Sequence, residues 1–177
     1  MLPVTPSLLE RAAKIRLLIC DVDGVLTDGR LYFTAEGEEL KSFHARDGHG
    51  IKLVQRAGIE TAVISGRHSK AVALRMESLG VRHVFQGQEQ KLPTFLNLLD
   101  QLGLTRDQVA FVGDDLLDLP LLRRVGLAVA VADGHFTILD SAHWITSAAG
   151  GMGAVREVCD LLLTAQHKLE AIIESYH

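Results

Sequence analysis

The chain has 177 residues, which is enough for one domain that buries about two thirds of the surface of its unfolded chain. Its hydrophobic fraction of 47% and charged fraction of 23% are those of an ordinary globular protein, and its net charge of −4 argues against binding to nucleic acid. The sequence shows neither an apolar stretch of membrane-spanning length nor a secretory signal, and both cysteines lie in apolar segments typical of buried free thiols. We therefore expect residues 1–177 to form a single cytoplasmic domain without a membrane partner.

Strand and helix patterns alternate along most of the chain. In the first part, the pattern predicts a helix over 8–13, strands over 15–20, 31–33 and 39–43, a helix over 50–56, a strand over 60–64 and a helix over 69–79. In the second part, it predicts strands over 83–85, 108–112, 128–131 and 143–145, helices over 90–102 and 116–125, and one helical tail over 154–175. Strands separated by helices of this length form right-handed βαβ units, so we predict an α/β fold with a largely parallel sheet.

The segment 29–43 interrupts this alternation with a predicted β-hairpin, whose turn contains Gly37. The alternation of side chains along a strand places Leu31 and Phe33 on one face. A lone two-stranded hairpin is marginally stable and leaves unpaired edges, so we expect it to pair with a second subunit.

The C-terminal segment 150–177 begins with a cluster of glycines and continues as the helical tail. Gly150, Gly151 and Gly153 predict a flexible joint, because glycine has the widest conformational freedom. Apolar residues that include Val155 lie on one stripe of the predicted helix.

Two clusters of carboxylates follow predicted strands at the point where each strand ends. Asp21 and Asp23 come directly after the first strand, and Asp114, Asp115 and Asp118 follow the strand over 108–112. Ligand-binding groups gather at the carboxyl ends of parallel strands, and carboxylates clustered there repel one another unless a hard cation lies between them. An oxygen-only donor set, without a cysteine or histidine pair nearby, favours Mg²⁺ over zinc.

Two further strand ends contribute groups suited to bind a phosphate. Ser65, Gly66 and Arg67 follow the strand over 60–64, and a hydroxyl, a main-chain N–H and a guanidinium can together hold a phosphate. The alternative, in which Ser65 only caps the following helix, stays open at this point. Lys91 lies in the first turn of a predicted helix, where a cation is unfavourable for the helix dipole, so its position indicates a nearby anion.

Four motifs in this order resemble those of the haloacid dehalogenase superfamily of phosphohydrolases: Asp-x-Asp-Gly from residue 21, Ser-Gly from 65, Lys91, and Gly-Asp-Asp-x-x-Asp from 113. Further stretches resemble the small 3-deoxy-D-manno-octulosonate 8-phosphate phosphatases of that superfamily: residues 23–29, 46–48, 86–87 and 149–157. The resemblance implies a three-layer Rossmann-like parallel sheet with a small inserted hairpin and no cap domain. It also implies a homotetramer in which the hairpins, here residues 29–43, assemble into a shared barrel.

The resemblance implies a chemical role for each acidic motif. Asp21 is the expected nucleophile that forms an aspartyl-phosphate, and Asp23 is the expected acid that protonates the leaving oxygen and then activates water. Mg²⁺ is expected at the carboxylates of Asp21 and Asp114 and at the main-chain carbonyl of Asp23. Asp115 or Asp118 is expected to orient Lys91.

The resemblance also implies how a phosphorylated sugar acid is bound. Ser65 and Lys91 are expected to clamp its phosphoryl group. Arg46 and Arg67 suit bidentate contacts with a carboxylate or a phosphate, whereas Arg75 fits a solvated helix face equally well. The positions that match the substrate-binding residues of the family are Asp23, His44, Ala45, Arg46, Asp47, Gly48, Lys52, Arg67, Arg75 and Lys91.

The function that the resemblance implies is a Mg²⁺-dependent phosphomonoesterase acting on 3-deoxy-D-manno-octulosonate 8-phosphate in lipopolysaccharide precursor synthesis. A phosphatase for a related nine-carbon sugar acid phosphate is an alternative, because the motifs define the phosphate end of a substrate better than its sugar end. A catalytically silent assembly domain is a second alternative, against which the intact set of Asp21, Asp23, Lys91 and Asp114 argues.

Overall fold

The centre of the structure is a six-stranded parallel sheet. The structure is a computed structural model that describes residues 4–176. The strands are β1 (Leu17–Cys20), β4 (Glu60–Ile64), β5 (His83–Phe85), β6 (Val109–Gly113), β7 (Leu127–Ala130) and β8 (Trp144–Ile145), and they lie in the order β5-β4-β1-β6-β7-β8. Strand β1 is therefore central, with β4 on one side and β6 on the other.

Within residues 4–176, eight α-helices surround or follow this sheet. They are α1 (Pro6–Ala13), α2 (Ala45–Arg56), α3 (Lys70–Leu79), α4 (Lys91–Leu102), α5 (Leu119–Leu122), α6 (Phe136–Ser141), α7 (Ala154–Ala165) and α8 (Leu169–Glu174). Short 3₁₀ turns at Arg106–Gln108 and Leu116–Asp118 precede β6 and α5. None of the helices in the described part of the chain is long and apolar enough to cross a membrane.

Two hydrophobic cores lie on opposite faces of the sheet. On β1, Leu18 and Cys20 belong to the core formed with α1, α2, α3 and α7, whereas Leu17 and Ile19 belong to the core formed with α4, α5 and α6. All four residues of β1 are buried, as expected for a parallel strand covered on both faces. The predicted α/β fold with three layers is thus confirmed.

A small antiparallel hairpin separates β1 from α2. Its strands, β2 (Tyr32–Phe33) and β3 (Glu39–Leu40), pair Tyr32 with Leu40 and Phe33 with Glu39. The hairpin is present as predicted, but its strands are shorter than the predicted 31–33 and 39–43. It forms a sheet of its own and adds no strand to the central one.

Helix α2 begins five residues before its predicted start at Gly50. Gly48 lies before the predicted start and Gly50 lies at it, and glycine destabilises helix interiors. The structure gives both a packing reason: a Cβ on Gly48 would lie 2.2 Å from the Arg75 guanidinium, and one on Gly50 would lie 3.1 Å from Cys159 Cβ. At Gly50 a side chain would therefore crowd α7, whereas at Gly48 the Arg75 side chain occupies the space.

Three predictions for the second half of the chain were wrong in detail. The segment 116–125 is a 3₁₀ turn followed by the one-turn helix α5, and helix α6 was not predicted. The tail over 154–175 is two helices, because His167 between α7 and α8 has a left-handed backbone, with φ at 56°. Such a residue interrupts a right-handed helix.

The glycine-rich segment is packed closely rather than left free as a joint. A Cβ on Gly150 would lie 1.7 Å from the carbonyl oxygen of Gly24, and one on Gly151 would lie 2.4 Å from the carbonyl carbon of Thr27. The Gly151 N–H donates to the carbonyl of Val25 at 2.9 Å. These glycines thus let two loops touch, so that the start of α7 is fixed to the loop that follows β1.

Candidate active site

The predicted functional side chains gather at the carboxyl edge of the sheet. Cys20, the last residue of β1, pairs with Val63 of β4 and Val112 of β6. Because these strands are parallel and in step, the residues that follow them emerge side by side, and Asp21 and Ser65 are two of these. This is the edge at which open α/β sheets bind ligands.

Three carboxylates meet at this edge. Asp21, Asp114 and Asp118 offer oxygen atoms that all lie within 4.8 Å of one another. Gly24 is required where the two loops touch, because a Cβ there would lie 2.0 Å from Asp114 Oδ2, and its φ of +88° is unfavourable for other residues. The two acidic clusters of the sequence therefore form one site.

Lys91 supplies the positive charge in this cluster. It is the first residue of α4 and only 2% exposed, and its Nζ lies 2.8 Å from Asp21 Oδ1 and 2.6 Å from Asp118 Oδ1. Burial alone would lower the pKa of Lys91, but the charges of Asp21 and Asp118 outweigh it and raise that pKa. Lys91 thus stays protonated. The anion that its helix position indicated is this pair of carboxylates.

Asp118 arranges the loop as well as the lysine. Its Oδ2 accepts hydrogen bonds from the main-chain N–H groups of Asp114 at 3.0 Å and Asp115 at 3.4 Å, while its Oδ1 accepts from Lys91. Both oxygens are therefore engaged by the protein. Asp115 points elsewhere, since its carboxylate is exposed and caps the 3₁₀ turn at Leu116. Of the two residues expected to orient Lys91, the structure brings Asp118 into contact with it.

Two carboxylate oxygens in the cluster lack a hydrogen bond. Asp21 Oδ1 and Asp114 Oδ1 are buried and accept no hydrogen bond from the described residues, and Asp21 Oδ1 has only its ion pair with Lys91 at 2.8 Å. Burial and the charge of Asp118 raise the pKa of Asp21 to about 7, and burial and the charges of Asp21 and Asp118 raise the pKa of Asp114 to about 8. One lysine does not balance this much negative charge. The clustered carboxylate oxygens, with Asp114 Oδ1 left without a hydrogen bond, fit a hard divalent cation such as Mg²⁺.

Ser65 lies at the carboxyl end of β4 and is 2% exposed. Its Oγ accepts a hydrogen bond from the main-chain N–H of Arg67 at 3.4 Å, and its carbonyl accepts one from Gln88 at 2.9 Å. The helix α3 begins after Ser69, not Ser65. The capping alternative for Ser65 is therefore wrong, and its hydroxyl serves the loop at the sheet edge.

Asp23 lies in a network of charges that includes the hairpin. Lys41 Nζ donates to Asp23 Oδ1, and the Lys41 side chain is only 1% exposed. Arg67 Nε lies 3.8 Å from Asp23 Oδ2, and the Arg67 guanidinium also donates to Glu39 Oε1 at 2.9 Å. Glu39 in turn lies 3.4 Å from Lys41 Nζ. Two anions and two cations thus alternate between the loop after β1 and the hairpin.

Sequence reasoning missed Glu39 and Lys41. Residues two apart on a strand share a face, which would have grouped them. Nothing local indicates that this face turns towards Asp23, because that depends on how the hairpin folds back. The two residues are therefore visible only in the tertiary structure.

The residues at the start of α2 divide into two groups. Asp47 is 1% exposed, and its Oδ1 accepts a hydrogen bond from the main-chain N–H of Arg156 at 2.7 Å, in the first turn of α7. Burial raises the pKa of Asp47 despite this bond. Its carboxylate therefore contacts a helix N-terminus instead of open solvent. Ala45 and Arg46, in contrast, are exposed at the N-terminus of α2, and among residues 4–176 Arg46 has no ion-pair partner.

The remaining predicted substrate-binding residues lie around the same helix. His44 precedes α2 and has a buried Nδ1 without a hydrogen bond to the described residues. Arg75 of α3 reaches over Gly48, where its guanidinium fills the space of the missing side chain. Lys52 is exposed one to two turns further along α2, beside the groove formed with the end of α3. The structure does not bring Lys52 into contact with the carboxylate cluster.

A groove in the described part of the chain lies away from this chemistry. It has a volume of about 510 Å³ and is bounded by α1 and by the end of α7, with Leu9, Ala13 and Leu169 among its walls. It holds no cluster of carboxylates with a buried lysine. The charged edge of the sheet is therefore the better candidate for catalysis.

Comparison with known proteins agrees with this assignment. The fold and the carboxylate–lysine cluster define a haloacid dehalogenase-like hydrolase, and the model of the family so described matches residues 83–157. The 3-deoxy-D-manno-octulosonate 8-phosphate phosphatase KdsC of Yersinia pestis is 52% identical over 168 residues, which cover 95% of this chain and 90% of that protein. The chain belongs to the family of 3-deoxy-D-manno-octulosonate 8-phosphate phosphatases.

Solved structures of two relatives carry metal ions. The phosphatase of this name from Moraxella catarrhalis, in complex with magnesium ion, phosphate ion and KDO, is 38% identical with a TM-score of 0.96, over 98% of this chain and 100% of that chain. The cobalt-bound deoxy-D-mannose-octulosonate 8-phosphate phosphatase from Haemophilus influenzae is 43% identical with a TM-score of 0.86, over 89% of this chain and 92% of that chain.

Proposed function

We propose that this protein is a Mg²⁺-dependent phosphomonoesterase that hydrolyses 3-deoxy-D-manno-octulosonate 8-phosphate to the free sugar acid and phosphate, in lipopolysaccharide precursor synthesis. The observation that carries the proposal is the buried Lys91 between Asp21 and Asp118, beside two carboxylate oxygens that lack a hydrogen bond. The names of the relatives support the choice of substrate.

Asp21 and Asp23 carry the covalent and proton-transfer steps in this proposal. Asp21 attacks the phosphorus and forms an aspartyl-phosphate, while the proton of Asp23 passes to the departing sugar oxygen. Asp23 then takes a proton from a water molecule that attacks the aspartyl-phosphate, which frees phosphate and restores Asp21. Lys91 offsets the repulsion between the carboxylate of Asp21 and the incoming dianion, since its Nζ lies 2.8 Å from Asp21 Oδ1.

The carboxylates of Asp21 and Asp114 and the main-chain carbonyl of Asp23 would hold Mg²⁺. When bound, this ion supplies Lewis-acid polarisation of a phosphoryl oxygen and neutralises charge that one lysine leaves unbalanced. Asp118 keeps Lys91 and the loop of Asp114 in place through its three hydrogen bonds. Ser65 completes the phosphoryl clamp.

The sugar end of the substrate needs cations for its carboxylate. Arg67, with half of its side chain exposed, stands at the mouth of the site beside Asp23. Arg46, exposed at the start of α2, is a further cation, and His44 and Arg75 lie beside the first turns of the same helix. Asp47 serves in this proposal to fix α7, rather than to touch the substrate.

The hairpin is the proposed assembly element of a cytoplasmic homotetramer. Leu31, Phe33 and Leu40 are 48%, 59% and 54% exposed and Tyr32 is 40% exposed, so the hairpin presents four large hydrophobic side chains to solvent. Two-stranded sheets with unpaired edges gain stability when their edges pair and close into a barrel. Four copies of the hairpin would cover these side chains and place subunits around each Asp21 site.

A substrate panel tests the proposed function. Phosphate release is measured with 3-deoxy-D-manno-octulosonate 8-phosphate, with a nine-carbon sugar acid phosphate and with p-nitrophenyl phosphate, each with Mg²⁺ and with chelator. We expect the eight-carbon substrate to give the highest kcat/KM and chelator to abolish turnover. A preference for the nine-carbon acid would reassign the substrate, and no release from any of the three would indicate a silent assembly domain.

A further inference from the structure

Glu39 of the hairpin forms an ion pair with Arg67, the cation that is proposed to bind the carboxylate of the substrate. Its Oε1 accepts from the Arg67 guanidinium at 2.9 Å, which is the contact that a substrate carboxylate would make. Burial opposes ionisation of Glu39, but hydrogen bonds from Arg67 and Ser69 and the charge of Lys41 together lower its pKa. Glu39 is therefore an ionised carboxylate at the mouth of the site.

The ion pair between Glu39 and Arg67 is accessible to an incoming ligand. Arg67 is half exposed, with 48% of its side chain open to solvent, so that a ligand can reach the guanidinium from outside. Glu39 lies 3.4 Å from the buried Lys41 as well. If Glu39 gives up Arg67, its charge still faces Lys41, which lowers the cost of the exchange.

We infer that Glu39 is an internal stand-in for the carboxylate of the substrate: it holds Arg67 in the free protein and yields it to the acid group of the sugar phosphate. Glu39 is thereby a specificity-determining residue, since a phosphomonoester without a carboxylate has nothing to exchange for it. The inference rests on the proposed function, because it needs a carboxylated substrate.

The charge network around Asp23 explains what Glu39 contributes in the free protein. With Glu39 ionised, Asp23 and Glu39 balance the charges of Lys41 and Arg67, so the free site carries no uncompensated charge at its mouth. Without it, Arg67 would keep only Asp23, at 3.8 Å, as a carboxylate partner. A ligand must therefore present its own carboxylate at the correct distance from its phosphate to displace Glu39.

The test compares Glu39→Gln with wild type on two substrates in Mg²⁺. For 3-deoxy-D-manno-octulosonate 8-phosphate, we expect KM to fall about three- to tenfold, the range for losing one partly buried charge-assisted contact, while kcat stays within about twofold. For p-nitrophenyl phosphate, which has no carboxylate, both constants should stay within about twofold.

Two control variants separate this role from others. Glu38→Gln removes the same charge one residue away, where Glu38 is exposed and has no ion pair among residues 4–176, and should leave both KM values unchanged. Glu39→Asp keeps the charge and should restore a KM close to that of wild type.

Three results would overturn the inference. An unchanged KM for the sugar acid phosphate in Glu39→Gln means that substrate does not compete with Glu39. An equal loss of kcat on both substrates means that Glu39 only holds Lys41 and Asp23 in place. If wild type cleaves p-nitrophenyl phosphate but no sugar acid phosphate, the proposed substrate is wrong and the role of Glu39 falls with it.

Discussion

The stability of the metal-free protein should fall as the pH rises, and Asp114→Asn should reduce this fall. In the folded protein, burial and the charges of Asp21 and Asp118 raise the pKa of Asp114 from 3.8 to about 8. The folded state thus keeps a proton that the unfolded chain loses near pH 4. Because the folded state binds more protons across this interval, unfolding becomes easier as the pH rises from about 4 to about 8. Asparagine has nearly the same shape and carries no charge.

The size of this loss of stability follows from the difference between the pKa values of Asp114 in the unfolded and folded states. Each pH unit between the two pKa values costs about 1.4 kcal/mol, so the change from about pH 5 to about pH 8 is at most about 4 kcal/mol. The carboxylate of Asp114 is partly exposed, so solvent screening reduces this to about 2 kcal/mol. Wild type should therefore lose about 2 kcal/mol more than Asp114→Asn over this range. The pKa of Asp21 is also raised, so Asp21 lowers the stability of both wild type and Asp114→Asn as the pH rises.

Urea unfolding with chelator at the two pH values measures this difference, and Asp140→Asn is the matched control. Asp140 is exposed on α6, so its variant should follow wild type. Mg²⁺ at a hundredfold excess over its Kd should restore about 2.7 kcal/mol to wild type, and much less to Asp114→Asn, which lacks a ligand. A metal-free wild type whose stability is flat or rises over this range, or equal stabilisation of both proteins by Mg²⁺, would refute the reasoning.

Three further predictions address catalysis and assembly. Asp21→Asn should abolish turnover and leave the fold intact, because an amide is a poor nucleophile; hydrolysis that persists, with the amide verified by mass spectrometry, would remove Asp21 from that role. Asp23→Asn should slow turnover by roughly 10²-fold or more, as measured by steady-state phosphate release, and a rate within a few-fold of wild type would mean that another group carries the proton. The double variant Leu31→Asp with Phe33→Asp should dissociate the tetramer and depress activity on the sugar phosphate. Light scattering that finds a fully active wild-type monomer at micromolar concentration would contradict the assembly.

The sequence by itself determined the order of elements and the chemistry at the strand ends. A buried parallel strand is a short apolar run, and its end is marked by the first polar residue, so the positions of Asp21 and Asp114 follow from local pattern alone. The rule that parallel strands share one carboxyl edge then brings the two acidic clusters together without knowledge of the packing. The anion expected beside Lys91 could be inferred in the same way; the family resemblance limited it to Asp115 or Asp118, and the structure shows Asp118 together with Asp21.

Only the tertiary structure decided the features that depend on contacts between distant segments. Gly48 disfavours a helix locally, yet α2 extends back through it to Ala45, and the Arg75 side chain of α3 fills the space beside it. Asp47 is grouped with substrate ligands by its motif, but its carboxylate is buried against the first turn of α7, more than 100 residues further along the chain. Local pattern carries no information on such approaches, since packing overrides intrinsic preference.

The hairpin shows the same division most clearly. Its turn glycine and alternating apolar residues predict two strands, because turn conformation and side-chain alternation are local properties. The direction in which the hairpin folds back depends on tertiary packing. That direction brings Lys41 into contact with Asp23 and Glu39 into contact with Arg67. Ion pairs of this kind form between side chains that any exposed strand might carry, so only the path of the chain between β1 and α2 selects them.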